Sequence, residues 1–321
     1  MSSTTKKILI AILIPTVYAV ILRLLFGIKT WNDIFSVMSI TFLFCLPTIV
    51  GALTVYLSDY EKVKSYTYRF FIPWVPVFLF LVITMFLKIE GWACWLMILP
   101  IFLIASSIGG LVGGYLKNRK GNSNLNVSLL VLIPLSIGPV ESLFQKIPAT
   151  YTAYTSIEID APAEVIWENV TAVRKIDEKD DKGYLNKIIG FPRPLEAVLN
   201  YKGIGAYREA RFTKGLVFHE TVKQYEENKK MLFSIKAYPY EIPSTTLDEH
   251  VVIGGNYFDV LDGTYELEKI SNNKYKLILY SRFKLNTTFN FYAGLWAKWI
   301  MKDIQNNILQ IEKKRAESFK S

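Results

Sequence analysis

Cysteine and histidine are scarce in this 321-residue chain, which holds two of each. Cys45 and Cys94 fall inside apolar runs, where a thiol behaves as a small hydrophobe, and no cysteine comes after them. This argues against a disulfide framework, and against zinc or a cysteine nucleophile in the second half, which carries both histidines, His219 and His250. No Ser-His-Asp or Cys-His set can be assembled from the spacing, so no catalytic residue, metal or cofactor is assigned. A one-signed charge patch is also missing. Up to residue 147 there are 12 Lys and Arg against 5 Asp and Glu, and afterwards 25 against 23. The basic excess therefore flanks apolar runs, the later charges alternate in sign, and no nucleic-acid partner is expected. The first half also lacks a small-x-small cleavage motif, paired carboxylates and an inverted repeat, which leaves a cleaved signal peptide and transport without support.

What is abundant is apolar: 51% of residues are hydrophobic. Runs at 8–25, 34–57, 70–87, 92–116 and 127–144 each approach the roughly 20 residues a bilayer core needs, predicting about five membrane helices. Lys6, Lys7, Lys62, Lys64, Arg69, Lys117, Arg119 and Lys120 flank one side of these runs, and Lys29 and Lys88 the other, with Arg23 able to snorkel there. The first side is expected to be cytoplasmic, so that five spans place the second half of the chain outside a bacterial cell membrane; a re-entrant fifth run, which contains Pro134 and Pro139, would place it inside. Ala105, Gly109 and Gly113, beside Ser106, Gly110 and Gly114, form small-residue stripes suited to close helix packing. Glu141, near a run end, reads as interfacial or as an ion site.

After the membrane part (1–147) comes a strand-rich region (148–321). Residues 155–160 alternate apolar and polar, Pro162 stops that strand, and Val165, Ile166 and Val170 recur at helical spacing. Further strands are expected at 206–212, 216–223, 230–237, 250–261, 264–270 and 274–284, separated by turns such as Leu261-Asp262-Gly263. A last helix, 292–311, would bury Tyr292, Leu295, Trp296, Trp299, Ile300, Ile304, Ile308 and Ile311, leaving Lys298, Lys302 and Glu312 off that face. One strand, helices, six antiparallel strands and a helix make an α+β domain.

The segments IDAPAEVIW (159–167), GAYREARFTKGLVFHETV (205–222) and GGNYFDVLDGTYEL (254–267), with the last helix, resemble the START-like, or SRPBCC, superfamily, which includes polyketide cyclases and lipid-transfer domains. The resemblance spans roughly residues 154–315. It implies a helix-grip domain, a curved antiparallel sheet around a long C-terminal helix enclosing a hydrophobic cavity, but members differ too widely for activity to transfer.

A three-residue turn at Thr213, Lys214 and Gly215 would pair Phe212 with Leu216, Ala210 with Phe218 and Arg208 with Glu220 on one apolar face, with His219 turned away. Arg208 and Glu220 then form an ion pair in a hydrophobic wall, either fixing register or anchoring a ligand head group. Phe212, Phe218, Phe233, Tyr257, Trp296 and Trp299 complete the expected ligand-binding set, with Trp167 and Phe258 also available. The loop at 238–249 and the Phe-Pro-Arg-Pro segment at 191–194 are candidate rims. The leading expectation is membrane-anchored binding of a lipid or other hydrophobic small molecule, with the bilayer as partner. A cyclase- or hydrolase-type enzyme using Glu220 or His250 as base is the alternative, although Arg208 would lower the carboxylate pKa and oppose that role. A sensor coupled to the membrane helices is the third.

Overall fold

The computed structural model describes residues 3–31, 34–118, 123–144, 147–241 and 252–318. The chain forms two compact units, Met1–Lys146 and Ile147–Ser321.

The first unit is helical: α1 Ser3–Phe26, α2 Leu46–Leu57, α3 Tyr60–Val63, α4 Tyr66–Phe71, α5 Trp74–Phe86, α6 Trp92–Asn118 and α7 Ser123–Ser142. Among the described residues, three stretches are long and apolar enough to cross a membrane: Thr5–Phe26, Tyr66–Phe86 (α4 and α5 together) and Trp92–Asn118. The expectation of five is corrected on two of its runs. The second run shortens to Thr41–Leu57, because Ser36 and Ser39 make local turn bonds ahead of it; in the last run the helix α7 ends at Ser142, and Ser128–Ser142 is a shorter apolar stretch.

Several polar groups are buried inside this unit among apolar ones, and large apolar side chains are exposed on its outside. Thr16, Arg23, Thr54, Thr84, Glu90 and Ser106 are buried, whereas Leu13, Val17, Ile21 and Leu24 form an exposed stripe along α1. Arg23 does not snorkel: its Nε donates to Glu90, and both side chains are buried. Glu141 is a cap, accepting from the backbone N–H groups of Ile40 (2.7 Å) and Thr41 (2.8 Å) and from the Thr41 hydroxyl (2.6 Å). Those donors begin the wide helical turn Thr41–Cys45, whose orphan N–H groups the carboxylate satisfies. The glycine stripes set helix contacts: a Cβ at Gly109 or Gly113 would collide with the Thr48 or Ala52 backbone of α2, and one at Gly110 with the Arg69 backbone of α4.

The second unit contains β1 Ala149–Ile159, α8 Ala163–Thr171, α9 Tyr184–Ile189, β2 Pro194–Leu199, β3 Tyr207–Phe212, β4 Val217–Glu226, β5 Lys230–Lys236, β6 Phe258–Ser271, β7 Lys274–Leu285 and α10 Asn290–Ser318. The strands form one antiparallel sheet in the order β1-β7-β6-β5-β4-β3-β2. Bulges at Val222/Gln224 and Val260/Asp262 bend neighbouring strands, and the sheet curls into a half-barrel. Residues 261–263 are not a turn. They run through the middle of β6, where Gly263 makes room for the Phe233 ring; a Cβ there would lie 2.6 Å from it. The segment expected as a rim ends in the edge strand β2, which starts at Pro194.

Helix α10 packs on β1 and β7 by a face that only partly matches its apolar residues. Ile311 is buried as expected and Tyr292, Trp296, Ile300, Ile304 and Ile308 are half-buried, but Leu295 and Trp299 are exposed, while Gly294, Ala297, Gln305, Asn307 and Glu312 are buried. Gly294 lies against the Tyr151 ring, an approach a larger side chain would prevent. Gln305 donates to the Ser281 hydroxyl (3.1 Å) and the Ala153 carbonyl (3.4 Å) and accepts from the Thr155 hydroxyl (3.2 Å). Gln305 and Asn307, buried with their hydrogen bonds made, stand on this face beside the apolar residues.

Gly109→Val should destabilise the detergent-solubilised protein by about 1–3 kcal/mol through overpacking against α2, read as a lowered melting temperature. Ile108→Val, on the exposed side of the same helix, should stay within about 0.5 kcal/mol of the parent.

Candidate functional site

The β3–β4 hairpin has the anticipated register. Lys214 (φ 58°) and Gly215 (φ 75°) take left-handed conformations in the turn, and Phe212 N–H donates to the Leu216 carbonyl at 2.8 Å. Arg208 then faces Glu220 and Ala210 faces Phe218. Because alternate residues share a face, Arg208, Phe212, Phe218 and Glu220 all point to the buried side. His219 is on the opposite side, its Nδ1 2.5 Å from the Tyr207 hydroxyl.

Arg208 is the hub. Its Nη1 donates to Glu220, its Nε to the Thr171 carbonyl (3.3 Å) and its Nη2 to the Val170 carbonyl (3.4 Å). The carbonyls come from the last turn of α8, whose partial negative charge suits a guanidinium. The cation also lies over Phe233, 5.3 Å from the ring centroid, and 6.0 Å from that of Tyr265. Burial pushes the Glu220 carboxyl above the usual carboxylate range, against the pull of Arg208. It also pushes the Tyr265 hydroxyl up to about 12, so Tyr265 stays neutral.

Glu312, expected off the buried face, is 1% exposed. Neither of its carboxyl oxygens has a hydrogen-bond partner among the described residues, and the Arg315 guanidinium comes only to 4.0 Å. Arg315 is held by the carbonyls of Arg174 (2.9 Å) and Lys175 (2.7 Å). Burial pushes the Glu312 carboxyl up to about 8, partly offset by the charges of Arg315, Arg208 and Arg174. The spacing held a signal: Gln305, Leu309, Glu312 and Ala316 recur at 4, 3 and 4 residues, which is one helix stripe. Hydrophobicity alone cannot find it, because half of that stripe is polar.

Five of the eight expected ligand-binding residues share the interior: Arg208, Glu220, Phe212, Phe218 and Phe233. Phe212 and Phe218 meet edge to face at 5.0 Å. Trp167 is buried as well, donating to the Tyr225 hydroxyl at 3.3 Å, and Phe258 packs 5.9 Å from Phe283. Tyr257 is half-buried just ahead of β6. Trp296 is half-buried and Trp299 is 54% exposed, the two rings meeting at 5.4 Å, so Trp299 stands outside the enclosed face. His250 lies outside the described residues, as does most of the 238–249 loop. The 191–194 segment borders a separate half-open cleft of about 160 Å³, shared with Asn186, Lys214 and Asn307.

No protein-family model and no curated protein sequence matches the chain. Solved structures match about half of the chain at low identity. One is a protein from Arthrobacter aurescens, 13% identical, covering 52% of this chain and 86% of its own, with a TM-score of 0.32. A protein from Rhizobium leguminosarum is 12% identical over 52% of this chain and 99% of its own, with a TM-score of 0.31. Truncated norcoclaurine synthase from Thalictrum flavum is 13% identical over 52% and 96%, with a TM-score of 0.30. Scores this low carry no chemistry across. The class is defined by the molecule itself: an α+β domain whose seven-stranded antiparallel half-barrel packs on one long C-terminal helix, preceded by a helical unit with an apolar exterior.

Replacing either Arg208 or Glu220 by Leu should cost about 3–5 kcal/mol, because the partner is left charged and buried. The double replacement should be less destabilised than either single one, as measured by denaturation midpoints of the three variants.

Proposed function

We propose that this protein is a membrane-anchored binder of a lipid or other hydrophobic small molecule, held inside a START-like helix-grip domain. The observation that carries the reading is a buried group of polar residues, Arg208, Glu220, Tyr265 and Glu312, set beside two apolar core clusters. Specific ligand sites are typically apolar walls with a few convergent polar groups. The aromatic rings of Phe212, Phe218 and Phe233 offer the walls, and Arg208 with its neighbours offers the anchor. The strand-stop-helix segment at 159–167 and the hairpin at 205–222 favour the START-like assignment. Glu220 is engaged by Arg208, which weighs against its use as a general base.

Membrane anchoring rests on the three long apolar stretches of the first unit, their exposed apolar side chains and the buried Arg23–Glu90 pair. Such an arrangement suits lipid as solvent, where a buried charge needs a partner.

Native mass spectrometry of the full chain, released from gentle detergent, should reveal a reproducible co-purified mass in the lipid or small-metabolite range. A folded protein that is always empty and takes up no added lipid would sink the reading. We further propose that the second unit faces the extracytoplasmic side. With Cys45 and Cys94 replaced by Ala, Tyr184→Cys, at an exposed position, should react with a membrane-impermeant maleimide in intact spheroplasts; labelling only after lysis would put the domain in the cytoplasm.

A further inference from the structure

The first turns of α10 carry an apolar outer face that the interior site does not use. Phe291, Leu295 and Trp299 recur every fourth residue and form one stripe, 64%, 48% and 54% exposed, while Gly294 and Ala297 on the inner side meet the sheet. Tyr292 and Trp296 border the stripe, half-buried. Further along the same helix the exposed positions are polar: Lys302, Asn306, Gln310 and Lys314. Large apolar side chains gathered at one end of an otherwise polar outer face mark a contact with something apolar. Chain connectivity and charge both bear on what that is. The chain reaches this unit from the apolar helix Ser128–Ser142, and Phe144 and Ile147 are three residues apart, about 11 Å at full extension. The start of α10 is bound to that entry point: Asn290 Nδ2 donates to the Ile147 carbonyl (2.9 Å), and the Asn290 carbonyl accepts from the Tyr151 hydroxyl (3.1 Å). The stripe thus begins at the point where the tether enters the domain. From Asn290 to Lys302 the helix holds two lysines and no acidic residue.

Resting on the membrane anchoring proposed above, but not on ligand binding, we infer that the Phe291, Leu295 and Trp299 stripe is a second membrane contact, which lays the first turns of α10 on the surface of the bilayer. The aromatic rings sit at head-group level, where tryptophan is favoured because its ring is apolar and its N–H stays wet. Lys302, exposed beside the stripe, and Lys298, whose Nζ stands 5.0 Å over the Tyr151 ring, meet the lipid phosphates. The short tether makes the contact intramolecular in effect, so a modest apolar stripe suffices to hold the domain down. A second copy of the chain would also cover the rings, but a two-fold contact centred there brings Lys298 and Lys302 towards their own copies, a like-charge cost that lipid phosphates reverse. Past Trp299 the outer face turns polar, and the helix leaves the surface.

The test uses the full chain with Cys45 and Cys94 replaced by Ala, carrying one added cysteine labelled with the fluorophore NBD. It is placed in nanodiscs of phosphatidylcholine and phosphatidylglycerol at about 3:1, and quenched either by nitroxide-bearing lipid or by aqueous iodide. The label at Leu295→Cys should be quenched by the nitroxide lipid at least about twofold more than the label at Gln310→Cys, about 22 Å further along the helix, with iodide giving the reverse order. Ile21→Cys, on the exposed stripe of α1, reports insertion of the helical unit and should be quenched by the lipid. Lys298→Glu with Lys302→Glu should reduce the lipid quenching at Leu295→Cys about twofold or more and leave that at Ile21→Cys unchanged; undiminished quenching overturns the part assigned to the lysines. Lipid quenching at Ile21→Cys, but no more at Leu295→Cys than at Gln310→Cys, overturns the docking and leaves the anchoring standing. A label at Leu295→Cys shielded from both quenchers shows that protein covers the stripe, which also overturns it. No lipid quenching at any position, Ile21→Cys included, overturns both the docking and the anchoring on which it rests.

Discussion

The docking of α10 onto β1 and β7 is the contact on which the second unit depends. Gln305 ties the helix to three points, the Thr155 and Ser281 hydroxyls and the Ala153 carbonyl. Gly294 and Ala297 bring its first half close to the sheet. The sheet cannot bury its concave face without that helix, because β-strands alone would leave Phe233, Phe283 and Leu279 facing water. Once the helix is held in this rotation, Leu309, Glu312 and Ala316 must turn inward. The buried acid is thus a geometric consequence of how the helix is fastened.

The interior has a polar centre in an apolar shell. Arg208 gathers carbonyls from the end of α8, a carboxylate from β4 and the rings of β5 and β6, so one side chain links a helix and three neighbouring strands. Its burial is tolerable because each part of the guanidinium has an acceptor or a ring face. The same logic recurs in the first unit, where Arg23 is buried with Glu90 and Glu141 caps a helix start. In each of these places an enclosed charge is paired or capped. Glu312 has a looser pairing: its oxygens accept no hydrogen bond among the described residues, and the Arg315 guanidinium stands 4.0 Å away.

Much of this architecture was legible in the residues. Alternation at 155–160, with Pro162 behind it, located β1 and the start of α8. The turn residues at 213–215 fixed the hairpin register, and with it the meeting of Arg208 and Glu220, because a side-chain period of two leaves no other partner on that face. The small-residue stripe of α6 also predicted its own use, since glycine at that spacing lets another backbone approach. Other features were misread for identifiable reasons. Leu261-Asp262-Gly263 has the composition of a turn, yet Gly263 is there to admit the Phe233 ring. Pro194 looked like loop, but proline is tolerated on an edge strand, where β2 lies.

The sequence by itself determined the division into a membrane-like helical part and an α+β part, most strand positions and one cross-strand ion pair, because these depend on local periodicity and turn chemistry. Only the tertiary structure decided how α10 is rotated. Apolar periodicity pointed to a face on which Ile311 is buried but Leu295 and Trp299 are exposed, and the packed helix also buries Gly294, Gln305 and Glu312. That choice depends on hydrogen bonds and close approaches to β1 and β7, partners more than 100 residues distant along the chain for Gln305 and Thr155. No local pattern encodes such distant partners, so the polar centre of the interior emerges only when strand and helix are brought together.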